Sequence, residues 1–270
     1  MASIDGALLD FRRMDRLASG DTALHRLDPR AKVLVTLAFI VTIVSFDKYA
    51  VTALVPLFLF PVVMVSLGNL PSRYIIKKIA ILCPVALVAG MFNPFFDREV
   101  LLHIGAIGIT GGWVSFASIV VRAILTVGAA IILVGVTGFP AICQALERLG
   151  APRVFAVQLL FLYRYLFVLT EEGARVSRAR ELRSFGEKGL GLGSFGPLVG
   201  HLLLRTWRRA ERIHVAMLAR GFIGEFHTRR EFRFGSKELF FLCGWSALFV
   251  MLRLRNLPDL LGTLVTGIVR

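Results

Sequence analysis

Three stretches of this 270-residue chain, residues 50–70, 79–96 and 123–146, run for 18 positions or more without a charged side chain. No other feature limits the fold as much. An α-helix rises 1.5 Å per residue, so about 20 such residues match the roughly 30 Å hydrocarbon core of a bilayer. In lipid the backbone polar groups must be satisfied within the segment, which a helix does and an irregular chain does not. Composition agrees: 56% of residues are hydrophobic, 19% are charged and mean hydropathy is +0.71, whereas soluble domains carry about 25% charge. The chain reads as an all-α, polytopic helical membrane protein rather than a soluble helical core.

Residues 1–32 form a polar, basic N-terminal segment. It contains Asp5, Asp10, Arg12 and Arg13 and no early apolar run, unlike a cleaved secretory signal. The sequence LHRLDPRAK, from Leu24 to Lys32, then predicts a helix start. Asp28 can cap it and Pro29 fits its first turn. Residues 33–147 are expected to hold four transmembrane helices. The first runs from about Arg30 to Phe46. The second spans Ala50 to Leu70 and is bent at Pro56 and Pro61. The third runs from Ile79 to Phe96, and the fourth from Trp113 to Val136. Glycine-rich residues 100–112 suggest a short re-entrant or capping loop. Arg122 lies inside the fourth helix, where a cation either packs at the bundle interior or reaches an interface, or binds a substrate.

Lys and Arg collect on the cytoplasmic side of membrane proteins. The formal net charge of +14 is therefore first a topology signal and does not require a nucleic-acid partner. The N-terminus and the Arg73–Lys78 loop are assigned to the cytoplasm, and the turns at Asp47 and Asp97 to the outside. Between Arg148 and Arg233 stand sixteen Lys or Arg against seven Asp or Glu, a net +9. Residues 148–235 are read as one cytoplasmic segment. It begins with an amphipathic or partly inserted helix from Arg153 to about Leu169. A charged helix follows from Glu171 to Arg183, then a break over Gly186–Pro197, then a second helix from Leu198 to Arg220. Residues 236–270 return to the membrane.

Within that basic segment one short word occurs twice: ARELRSF at 179–185 and AMLARGF at 216–222. Positions i, i+4 and i+8 share a helix face. Arg175, Ala179 and Arg183 therefore line one face of the first helix, and Arg212, Ala216 and Arg220 line the same face of the second. Each helix places a small residue mid-face and an arginine at its C-terminal end, where the macrodipole favours a cation. Ser184 or Gly221 follows and lets the chain turn away. Such an end can reach a carboxylate on another protein. The alternative is a pair of ordinary solvated helices carrying intrahelical pairs such as Glu171–Arg175.

Several chemistries lack their residues. No G-x-x-x-x-G-K-[ST] occurs, so no P-loop binds ATP. The glycines of 191–196 fit G-x-G-x-x-G, but no strand is expected before them. The five histidines (His25, His103, His201, His214, His227) have no metal-ligand spacing. Cys83, Cys143 and Cys243 sit singly in apolar segments and are read as small buried hydrophobes. Neither a cofactor nor a metal site is expected.

On the two Ala-x-x-x-Arg words, and on LHRLDPRAK, QALERLGAPR (144–153) and YRYLFVLTEEGARV (163–176), the chain resembles the transmembrane T component of energy-coupling-factor transporters, the EcfT/CbiQ family. The wording is most similar to the cobalt-transport branch. The second word is the family's complete Ala-x-x-x-Arg-Gly motif, whereas the first carries Ser184 where the family has glycine. The resemblance implies a non-catalytic coupling subunit in a bacterial cytoplasmic membrane, with its N-terminus in the cytoplasm. ATPase coupling would rest on Ala179, Arg183, Ser184, Ala216, Arg220 and Gly221, with Arg175 and Arg212 supporting. The implied partners are two ATP-binding-cassette ATPase subunits, a CbiM-like substrate-binding membrane subunit, a small accessory membrane subunit and the lipid bilayer, but no nucleic acid. The competing readings are a membrane-embedded enzyme and a secondary transporter, each using the basic face to hold an anionic substrate.

Overall fold

The computed structural model describes residues 13–48, 51–93, 100–104, 107–183, 192–222 and 235–254. It divides into two units, Asp15–Gly138 with Phe232–Arg270 and Met1–Met14 with Phe139–Glu231.

The first unit is built on α1 (Pro29–Val44). Its start is as the sequence predicts: the Asp28 carboxylate accepts the Arg30 N–H at 2.8 Å and Pro29 occupies the first position. The next apolar helix, α2 (Val51–Leu67), contains a 3₁₀ turn at Val55–Phe58 around Pro56. Pro61 falls in the first turn of the α-helical stretch Leu59–Leu67, where its missing N–H is not needed. The third helix, α3, spans Ser72–Gly90. It starts seven residues before the expected Ile79 and takes in Arg73, Lys77 and Lys78, which were expected in a loop. Lys and Arg are good helix formers, and one turn apart Lys78 Nζ lies 5.7 Å from the centre of the Tyr74 ring.

The described residues of the stretch expected to be a re-entrant or capping loop, 100–104 and 107–110, instead form the two arms of an antiparallel hairpin, β1 (Val100–Ile104) and β2 (Ile107–Thr110), pairing His103 with Gly108 and Ile104 with Ile107. The β-branched residues Val100, Ile104, Ile107, Ile109 and Thr110 favour strand over loop. Apart from this hairpin the regular elements among the described residues are helical, so the all-α class holds. The long α4 (Gly111–Thr137) follows at once, and α8 (Ser236–Leu254) closes the unit.

Its core is a continuous set of buried side chains from α1, α2, α4 and α8, joined by Ile75 of α3. Phe39 lies 4.5 Å from Phe60 and 5.3 Å from Phe249, ring centre to ring centre, and Trp245 meets the edge of Phe60 at 4.9 Å. Helices α3 and α4 approach closely through small residues, as helices do in lipid. A Cβ added at Gly90 would sit 2.9 Å from the Phe116 ring, and one at Gly128 would sit 3.2 Å from Ile79.

Large apolar side chains also point outward, among them Val62, Val85, Val88 and Phe240. Exposed apolar surface of this kind marks contact with a partner or with lipid. Two helices of the described chain are long and apolar enough to cross a bilayer: Gly111–Thr137, and the stretch Arg153–Ala179 in the second unit. Cys143 is buried as expected, but Cys243 is exposed on α8. The outward face of α8 is itself apolar, so hydropathy alone does not separate its inner and outer positions.

Arg122 resolves as a structural cation. Its Nη2 donates to the Asp47 carbonyl, tying α4 to the chain just beyond α1. Arg253 of α8 donates to the Ser45 carbonyl at 2.9 Å and lies over the Phe46 ring, 4.8 Å from its centre. The last carbonyls of a helix have no partner within it, and here two arginines from neighbouring helices serve carbonyls at this end.

Candidate functional site

The second unit carries the repeated word. Helix α5 (Phe139–Arg148) begins after Gly138, whose φ of +78° breaks the apolar run that continues to Leu146. It ends in a Schellman turn: Ala151 N–H reaches the Leu146 carbonyl at 3.0 Å and Gly150 N–H the Glu147 carbonyl at 3.1 Å. Helix α6 (Arg153–Arg183) packs back against α5, with Phe139 stacked on Tyr163 at 4.9 Å. It is one helix of 31 residues, about 46 Å long at 1.5 Å per residue. The apolar and charged halves expected to meet near Leu169 are thus a single rod.

Helix α7 spans Leu192–Ala219. It starts six residues before the expected Leu198, so the second half of the predicted break, 192–197, is helical, and 186–191 lie outside the described residues. Gly193 and Gly196 of the G-x-G-x-x-G stretch lie within this helix, and Gly191 lies outside the described residues.

The carboxyl end of α7 is a second Schellman turn. Phe222 N–H bonds the Met217 carbonyl at 3.0 Å and Gly221 N–H the Leu218 carbonyl at 3.0 Å, with Gly221 at φ +77°. Left-handed backbone favours glycine, and a Cβ at Gly221 would meet nothing within 4 Å. The requirement is therefore conformational, not spatial. Arg220 is the residue at which the helix stops, and Arg212, Ala216 and Arg220 are all exposed.

In the first copy Arg175 and Ala179 are exposed, Arg183 is the last residue of α6, and Ser184 lies outside the described residues. Arg175 pairs with Glu172 at 2.6 Å, one residue beyond the Glu171 that its spacing suggested. Arg212 folds back, its Nε donating to the Arg208 carbonyl at 3.2 Å. The same Glu172 accepts Arg205 Nη1 from α7 at 3.1 Å. Neither Glu172 nor Arg205 is singled out by the repeat, because a pairing across 33 residues leaves no periodic trace. Among the described residues no group of three or more His, Cys, Asp or Glu is placed to hold a metal ion.

The family model for CbiQ, described as cobalt transport protein, matches residues 20–231. The chain belongs to the CbiQ family. That match covers α1 through α7 and includes both arginine-ended helices. Relatives agree. The energy-coupling factor transporter transmembrane protein EcfT of Listeria innocua is 26% identical over 226 residues, which is 78% of this chain and 84% of the relative. The protein of the same name from Streptococcus equi is 27% identical, covering 86% of this chain and 90% of the relative. That from Streptococcus thermophilus is 29% identical, covering 80% and 87%. This CbiQ-family chain is a membrane protein and a T component of the energy-coupling-factor type.

Proposed function

We propose that the chain couples ATP hydrolysis on two ATP-binding-cassette subunits to movement of a separate substrate-binding membrane subunit, in an importer for cobalt. The carrying observation is the end of α7. There Gly221 turns the backbone away and leaves Ala216 and Arg220 exposed on a helix tip. A small residue admits a close neighbour, and an arginine just past it offers a planar pair of donors to a carboxylate. The repeat at Ala179, Arg183 and Ser184 supplies a second tip for a second, similar socket. Arg175 and Arg212 stand one turn before the alanines and shape the approach.

In this reading residues 148–235 work at the cytoplasmic face. Residues 33–147 and 236–270 cross the inner membrane several times, and residues 1–32 are cytoplasmic. The chain has no catalytic residues of its own. Its sequence contains no P-loop, so the nucleotide chemistry belongs to the ATPases. Cobalt would bind to the CbiM-like substrate subunit, with the small accessory membrane subunit beside it.

The test is co-purification with the ATPase subunits expressed together with the chain. Breaking a buried charged pair from one side typically costs about 3–5 kcal/mol. Two such losses approach or exceed the roughly 8 kcal/mol that holds a micromolar complex. Arg183→Glu combined with Arg220→Glu should therefore abolish co-purification while the chain still inserts in the membrane. Retention of the ATPases, with full ATP-driven uptake, would reject the coupling role.

A further inference from the structure

Helices α6 and α7 are long, and little apolar packing holds them to each other. Among the side chains described on them, only Ala156 is buried, near the far end of α6, and none is on α7. At mid-length on α6, however, the Glu172 side chain is only 17% exposed, and it accepts from both helices. Oε2 takes Arg175 Nη2 at 2.6 Å and Oε1 takes Arg205 Nη1 at 3.1 Å. Both arginines are about two-thirds exposed, at 65% and 66%. They meet the carboxylate while remaining largely exposed themselves.

We infer that Glu172 is an ionic hinge that sets a preferred angle between α6 and α7. It is a positioning residue for the two arginine tips, acting through Arg175 and Arg205. The inference rests on the coupling reading for its consequence, but not for its geometry. A hydrophobic interface would hold the two rods rigidly over a broad surface. A single carboxylate shared by two guanidiniums instead restrains the rods at one point. It keeps a preferred angle, and it allows the angle to change when an external force exceeds the strength of the bridge. Two levers driven by two motors require both properties. The arrangement also gives Arg175 a task at the crossing, distinct from the exposed Ala179 one turn on.

The pattern of charge supports a hinge rather than an accidental surface pair. Three of the chain's cationic side chains in this stretch of α7, Arg205, Arg208 and Arg209, are close in sequence to the crossing, and all three are exposed. Only Arg205 takes Glu172. Glu172 is the acceptor that both helices share, so removing it leaves Arg175 and Arg205 as neighbouring like charges.

The experiment has two arms, both on the full chain. In the first, the three cysteines are replaced and spin labels are placed at the exposed positions Val154 on α6 and Ala210 on α7, with the chain in lipid nanodiscs. Glu172→Gln should broaden or shift the distance distribution. The exchange Glu172→Arg with Arg205→Glu should narrow it again, and a merely local surface pair would not show that rescue. An unchanged distribution in Glu172→Gln, or no rescue in the exchange, overturns the hinge. In the second arm, the chain is assembled with its ATPase and substrate subunits. Glu172→Gln should leave the ATPases bound but lower transport per ATP hydrolysed, on the order of fivefold for a coupling free energy of ordinary size. Unaltered transport per ATP overturns the hinge's role. If the arginine-tip variant Arg183→Glu with Arg220→Glu still binds the ATPases, the coupling reading fails, while the distance arm still decides the geometry.

Discussion

Gly221 and Gly200 make a matched pair on one helix. A Cβ added at either would meet nothing within 4 Å, so any effect of an alanine there must come from the backbone. Gly200 lies inside α7, where alanine is favoured over glycine by about 1 kcal/mol. Gly221 stands at φ +77° beyond the end of α7, where an L-residue costs roughly 1–2 kcal/mol. The two substitutions should therefore act in opposite directions. The amides that report the turn are those of Gly221 and Phe222, bonded to the Leu218 and Met217 carbonyls. In hydrogen–deuterium exchange on the chain in nanodiscs, Gly221→Ala should speed exchange at residue 221 and Phe222 by roughly 5–30-fold, the population change that one or two kcal/mol produces. Gly221→Asn should be milder, because asparagine tolerates the left-handed region. Gly200→Ala should slow exchange in the surrounding turn. If Gly221→Ala leaves the Phe222 amide unchanged, the Schellman turn does not set the position of the Arg220 tip.

Further outcomes follow from the same geometry. Gly90→Val should destabilise by about 1–3 kcal/mol in detergent unfolding, because the Cβ position is already 2.9 Å from the Phe116 ring. Phe39→Ala should cost about 3–5 kcal/mol in the same assay, since Phe39 is fully buried between Phe60 and Phe249. Burial lowers the His25 pKa below its ordinary 6.5, and nearby Lys32 adds to this, against an opposing hydrogen bond to the Leu17 carbonyl. The unfolded chain then binds the proton more readily, so stability should be level above pH 6.5, fall as pH drops below it, and lose that step in His25→Asn. Ala216→Trp should weaken ATPase co-purification more than Ala210→Trp, and equal effects would argue against a close-packed face at Ala216.

The legible parts of the sequence were those set by local chemistry. Asp28 and Pro29 announce the start of α1 because capping is a matter of adjacent residues, and Pro56 announces an irregularity in α2, which takes the form of a 3₁₀ turn. Gly221 marks the stop of α7 because one backbone angle needs it. The start of α3 is not legible because Arg73, Lys77 and Lys78 look like charges at a boundary, although their side chains suit a helix. The hairpin at 100–110 was hidden by its glycines, which outweighed its β-branched residues. The roles of Arg122, Arg253 and Glu172 could not be read at all. Each partner lies on another element, and a single chain without tertiary contacts does not reveal which carbonyl or carboxylate will be near.

Site-specific photo-cross-linking tests whether the tip of α7 docks on an ATPase subunit. A photoreactive residue at Arg212, one turn before Ala216, would be activated in membranes that contain the chain with its co-expressed ATPase, substrate and accessory subunits. An adduct with an ATPase subunit is expected, identified by mass spectrometry and lost in the Arg183→Glu, Arg220→Glu background. Adducts confined to lipid or to other membrane subunits would contradict it.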